Sequence, residues 1–123
     1  MFTTFAVAEV KTISPEIQIE VTEEKNAQQQ YNYNFGVIPV NARARHNVRI
    51  NNTGNRPLYF RDAAMYGQGF GAGHNCWGVL NPRQACLVTL DFIPYWEGYH
   101  NAQFAIYFDQ AQIFFNMSGF ARR

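Results

Sequence analysis

The chain has 123 residues and a formal net charge of +1, with 15% charged, 47% hydrophobic and 16% aromatic residues. That length encloses one core but not two. The near-neutral balance gives no field to gather nucleic acid or an anionic membrane, and no apolar run approaches the roughly 18 residues that a spanning helix needs.

The aromatic share tilts the chain toward strands, because rings pack well on a pleated surface. In chain order, Phe2-Thr3-Thr4-Phe5-Ala6-Val7-Ala8 ends in a small-x-small pattern. It reads either as the trimmed end of an export signal or as a first strand, since a basic leading region is missing. Thr12 to Val21 alternates Ile17, Ile19 and Val21 with Glu16, Gln18 and Glu20, a half-buried strand. Thr22 to Gln30 is polar and reads as a loop or a single helical turn. Tyr31 to Val40 alternates again, with Gly36 as a bulge and Pro39 placing the strand at a sheet edge. Residues 1–30 thus form a leading strand and polar loop before the sandwich of residues 31–123.

Ala44, His46, Val48 and Ile50 share the inward face of the next strand, opposite Arg43, Arg45 and Arg49. Those arginines read as a solvated stripe that Glu20, Glu23 and Glu24 can pair with. Asn52-Thr53-Gly54-Asn55 is a strong turn signal, because Gly and Asn accept positive φ at little cost. Arg56 to Arg61 resumes as strand. Ala63 to Gly73 holds Gly67, Gly69, Gly71 and Gly73 and is expected to resist regular structure. Strands return at Ala85–Phe92, Asn101–Phe108 and Ile113–Phe120, with Asp109 to Gln112 turning between the last two. Seven to eight short strands with regular turns and no helix describe an all-β, antiparallel sandwich, a profile that barrels share.

Cys76 and Cys86 are the only cysteines. They bracket turn residues ahead of a strand, the arrangement of a disulfide-pinned loop, which implies an oxidising compartment. Two buried thiols or half of a metal site are the competing readings. Zinc prefers shorter spacing and two further ligands, and only His74 is near. No cofactor or metal is expected. His46, His74 and His100 are scattered, and Ser14 and Ser118 lack the setting of a nucleophile, so no catalytic set is expected. Trp77, Tyr95, Trp96, Tyr99 and Phe70 concentrate near the Gly-rich stretch and the Tyr95–Tyr99 turn. Exposed, they make a surface for carbohydrate or peptide; buried, they cap the sandwich end and fill a loop core, the more frequent outcome.

Four segments in order carry a family resemblance: Tyr33-Asn34-Phe35-Gly36-Val37-Ile38-Pro39-Val40, Arg49-Ile50-Asn51-Asn52-Thr53-Gly54-Asn55-Arg56-Pro57-Leu58, Asn75-Cys76 through Cys86 to Pro94, and Ser118-Gly119-Phe120-Ala121 after Gly98. The pattern resembles the Hydin-type (ASH, or choice-of-anchor) immunoglobulin-like domains, relatives of major-sperm-protein and PapD-like sandwiches. Arg83 stands where that family usually has Gly after Pro. The resemblance implies an immunoglobulin-like sandwich acting as a non-enzymatic scaffold or protein-interaction module of an exported or cell-envelope bacterial protein. A carbohydrate-binding module and a PapD-like strand-pairing chaperone are the alternatives.

Overall fold

Alternation of apolar and polar side chains decides the architecture, because a strand sends successive side chains to opposite faces. The computed structural model describes residues 16–19 and 27–123. Among them nine strands occur: β1 (Glu16–Ile19), β2 (Ala27–Pro39), β3 (Ala44–Asn52), β4 (Leu58–Gly67), β5 (Phe70–His74), β6 (Val79–Leu80), β7 (Ala85–Phe92), β8 (Gly98–Phe108) and β9 (Ala111–Arg122). They form a four-stranded sheet of order β1-β3-β7-β5 and a five-stranded sheet of order β2-β9-β8-β4-β6. Two sheets share one interior, so the fold is an all-β sandwich and not a barrel.

The core follows the inward positions. Val48 and Ile50 of β3 and Val88, Leu90 and Phe92 of β7 line one side. Phe104 and Ile106 of β8 and Ile113, Phe115 and Met117 of β9 line the other. Apolar area removed from water stabilises by roughly 25 cal/mol per Å², and these fully covered side chains supply most of it. Gly119 sits in β9 against the Phe92 ring, where a Cβ would collide with ring carbons. A glycine there lets the two sheets close at that level.

Several expectations need correction. The Ala63–Gly73 stretch is regular strand: β4 continues to Gly67, and β5 begins at Phe70. Gly67 and Gly69 serve the turn between these strands, while Gly71 and Gly73 lie within β5. Gly67 and Gly69 have φ of 111° and 86°, and a Cβ at either would press on Ala102 or the His100 ring. Of the expected loop Thr22–Gln30, Ala27–Gln30 belongs to β2, while residues 22–26 lie outside the described residues, as do Phe2–Ala8, Ser14, Glu20, Glu23 and Glu24. The sandwich is also not wholly antiparallel. β1 runs parallel to β3, and β2 runs parallel to β9 from Ala27↔Ala111 to Pro39↔Arg122. No hairpin joins either pair, so no short turn dictates their direction.

Other expectations hold. β2 is an edge strand, and its register slips between Asn34 and Val37, where Gly36 has φ 82°. Of the expected turn Asp109–Gln112, residues 109 and 110 turn between β8 and β9, while Ala111 and Gln112 already belong to β9.

Candidate functional site

The site begins with the loop between β5 and β7. Cys76 and Cys86 are bridged, with Cα atoms 5.1 Å apart and both residues buried. Asn75 extends the clamp: its N–H donates to the Leu87 carbonyl at 3.1 Å, and its Oδ1 accepts from the Leu87 N–H at 2.7 Å. His74 Nδ1 accepts from the Cys76 N–H at 3.0 Å. Burial lowers the His74 pKa, which keeps that lone pair available at neutral pH.

A second clip comes from the Asn-Thr-Gly turn. Asn52 is fully buried, and its Nδ2 donates to the carbonyls of Arg56 at 2.8 Å and Leu80 at 2.9 Å. Its Oδ1 accepts from the Gly54 N–H at 3.0 Å, and its backbone bonds Gln84 and Arg83. One side chain therefore ties the β3–β4 turn to β6 and to the cystine loop. Arg83 is held in the left-handed region at φ 69° by that loop. The family's usual glycine at this position would adopt the same conformation without strain.

Beside this rigid end runs the open side of β5. β5 pairs with β7 from Phe70↔Phe92 to His74↔Val88, and among the described residues no strand pairs with its other side. The bonds from Ile93 N to Gly69 O and from Asn75 N to Leu87 O fix the alternation. Odd residues of this stretch bond β7, and the N–H and C=O groups of Phe70, Ala72 and His74 point to the open side. The strand, Phe-Gly-Ala-Gly-His, carries no carboxylate, lysine or arginine. Gly71 and Gly73 put no side chains on the outer face, which leaves a shallow groove of about 560 Å³ also lined by Thr89, Asp91 and Arg45. Asp91 accepts from Arg45 Nε at 2.8 Å and Nη2 at 3.2 Å, so this member of the arginine stripe is answered from within its own sheet.

The aromatic residues singled out in the sequence do not form one surface. Trp77 is 68% exposed and lies on Phe60 and His74, with ring centroids 4.8 and 4.5 Å away. Trp96 packs at a tilt on His100, ring centroids 4.3 Å apart, with Tyr95 beside it. Phe60 pairs with Phe108 at one end of β8, whereas His100 lies near the other, about 26 Å away at ~3.3 Å per residue. Trp77 and Trp96 therefore mark opposite ends of the sandwich. Tyr99 projects from the outer face of β8, across from Phe120. Phe70 is half-buried: it packs between Phe35 and Phe92, at 6.0 and 4.7 Å, because its position in β5 faces inward.

Each histidine is engaged in packing. His46 bonds the Tyr31 hydroxyl at 2.9 Å and stacks on Tyr33 at 3.5 Å, and burial lowers its pKa. His100 is buried, its Nδ1 2.9 Å from the Gly98 carbonyl and its Nε2 without a partner. Ser118 lies on the outer face of β9, paired across from Asn101 and not from a histidine. Among the described residues no three His, Cys, Asp or Glu side chains converge as metal ligands.

Sequence reasoning passed over Asn52, legible only as a turn residue, and the role of Arg83. It also passed over a row of amides on the five-stranded sheet: Gln30, Asn32, Gln103 and Asn116. Their signal was there, since polar amides at every second position of three strands must share one face.

The fold is that of an ASH/PapD-like immunoglobulin-like domain. Among solved structures, the chain is similar to the ASH/PapD-like domain 7 of human CEP192, at TM-score 0.52 and 13% identity, over 76% of this chain and 82% of that one. It is also similar to part of the secreted serine protease VesC from Vibrio cholerae, at TM-score 0.58 and 17% identity over 72% of this chain. The match spans only 21% of VesC. At these identities the likeness concerns the fold alone. No family model matches the chain, and no curated protein matches it in sequence.

Proposed function

We propose that the chain is a non-enzymatic protein-interaction module of an exported or envelope protein, and that it accepts an extended segment of a partner along the open side of β5. The observation that carries this reading is the one-sided pairing of an uncharged strand fixed at one end by the cystine loop. An open strand edge offers main-chain donors and acceptors to an incoming strand, and neighbouring grooves supply side-chain selectivity. β2 is the poorer acceptor, because its bulge at Gly36 and the terminal Pro39 interrupt its edge. The disulfide supports an oxidising compartment. A likeness confined to a fifth of a secreted protein fits one module within a longer exported chain.

The test is selection of extended peptides from a displayed library on the oxidised protein, followed by amide hydrogen exchange of the complex. Protection at Phe70, Ala72 and His74 is expected, and Ala72→Pro removes binding while leaving the bonds to β7 intact. Protection confined to β2, or undiminished binding by Ala72→Pro, would refute the β5 assignment.

A further inference from the structure

The outer face of the five-stranded sheet carries a row of side-chain amides that the core does not need. Asn32 of β2, Asn116 of β9, Gln103 of β8 and Tyr66 of β4 stand side by side in register. Asn116 is the hub. Its Nδ2 donates to Gln30 Oε1 at 2.7 Å and to Asn32 Oδ1 at 2.8 Å, and its Oδ1 accepts from Gln103 Nε2 at 2.9 Å. That network leaves the Gln30 and Asn32 amide nitrogens as donors on one side and Gln103 Oε1 as an acceptor on the other. The next row adds Asn101 and Ser118, which are also paired in register.

Asn32, Asn101, Gln103, Asn116 and Ser118 floor a shallow depression of about 760 Å³ whose lining contains no charged side chain. Two rings flank it, Tyr66 at 55% exposed and Tyr99 at 63%. From Tyr99 to Gln103 the floor runs about 13 Å along β8. Across the four strands from β2 to β4 it spans about 14 Å, at ~3.3 Å per residue and ~4.8 Å per strand. Exposed and half-buried amides in mixed donor and acceptor orientation, left partly unspent, suit groups that both donate and accept, and the hydroxyl is the simplest of these. Exposed rings at the margins offer flat apolar faces. The absence of ions in the lining disfavours phosphate, sulfate and carboxylate ligands. A peptide fits less well. The floor lies in mid-sheet, where backbone groups are spent on neighbouring strands, and it holds amides where a peptide anchor needs an apolar pocket.

We propose that this face is a binding cleft for a neutral polysaccharide chain, with Asn32, Asn101 and Gln103 bonding hydroxyls and Tyr66 and Tyr99 packing on sugar rings. The cleft is independent of the β5 edge, which belongs to the other sheet.

Native affinity electrophoresis tests it, with hydroxyethylcellulose, xyloglucan, galactomannan and pullulan as neutral probes and heparin and alginate as charged ones. At least one neutral polymer is expected to retard the protein. Combined Tyr66→Ala and Tyr99→Ala substitutions are expected to weaken that retardation roughly ten-fold or more. Asn101→Asp, an exposed and nearly isosteric change, should weaken it without altering the melting temperature, and Ala72→Pro should leave it unchanged. The proposal is overturned if no neutral polymer retards the protein or if only heparin or alginate does. It is also overturned if the tyrosine and Asn101 variants bind like the unsubstituted chain, or if selected peptides map to this face.

Discussion

Replacing Asn52 isolates what holds the cystine end together. Asn52→Ala deletes three side-chain hydrogen bonds, to the carbonyls of Arg56 and Leu80 and from the Gly54 N–H. The Arg56 carbonyl and Gly54 N–H lie at a part-buried turn and recover water, so each costs about 0.5–1 kcal/mol. The Leu80 carbonyl is bonded in a buried setting, and stranding it costs about 1–3 kcal/mol. Together these give about 3 kcal/mol. With a urea slope of about 1.5 kcal/mol/M, that lowers the denaturation midpoint by about 2 M. The assay is equilibrium unfolding in urea followed by tryptophan fluorescence, with the disulfide kept oxidised. Asn52→Asp adds a check of sign. A carboxylate facing two carbonyl oxygens is worse than alanine at pH 7, and burial raises its folded-state pKa above the usual ~3.9. A group raised on folding retains its stability below the unfolded pKa and loses it as pH rises through the folded one. The Asp variant should therefore approach the Ala variant as pH falls toward 4. A midpoint shift below ~0.3 M for Asn52→Ala, or a gap that widens on acidification, would refute this account of the clip.

Arg83→Gly relieves a left-handed φ of 69° and should raise stability by about 1 kcal/mol, less the extra freedom glycine gives the unfolded chain; thermal unfolding reads the sign directly. Alkylation under denaturing conditions, followed by intact-mass measurement, should add no groups until a reductant is present, after which Cys76 and Cys86 both react. Losing that bridge should cost about 3 kcal/mol by loop-closure entropy, visible as a lower melting temperature. His46 and His74 both have pKa values lowered by burial, so the folded state binds fewer protons than the unfolded one below about 6.5. Stability present above that pH should fall as pH drops toward the folded values, and His46→Gln should flatten part of the slope between pH 7 and 5.

The fold was legible where one face is buried and the other wet. β3, β7 and β9 alternate so cleanly that their inward residues are the core residues. The Asn-Thr-Gly turn and the cysteine pair were legible for a related reason: local chemistry dictates them. What failed has a common cause. The passage from β4 in one sheet to β5 in the other is hidden because glycine reads as a breaker, whereas Gly67 and Gly69 supply the turn between the sheets and Gly71 and Gly73 sit on the outer side of β5, which bears no side chain. The start of β2 was hidden because Gln28 to Gln30 lack an apolar partner position, although Asn116 of β9 receives Gln30. The parallel pairing of β2 with β9 joins residues more than eighty positions apart, which no short-range periodicity encodes. The grouping of the aromatic rings failed for the same reason, since Trp77 and Trp96 lie 19 positions apart in sequence but at opposite ends of β8.

The two proposed surfaces differ in what secures them, and this decides how they would behave together. The β5 edge depends on the cystine loop: Asn75 bonds Leu87, and His74 bonds Cys76, so reduction loosens the last residue of β5 and the first turn beyond it. The amide row depends on the register of β2, β9 and β8, which the bridge does not touch. Reduction should therefore weaken strand capture while sparing any polysaccharide binding. No element of the four-stranded sheet lines the amide cleft, and none of the five-stranded sheet lines the groove beside β5. A rigid interior of interlocked rings gives neither surface a second packing arrangement to impose on the other. Occupancy of one should leave the affinity of the other unchanged, as expected of a module that tethers two partners without signalling between them.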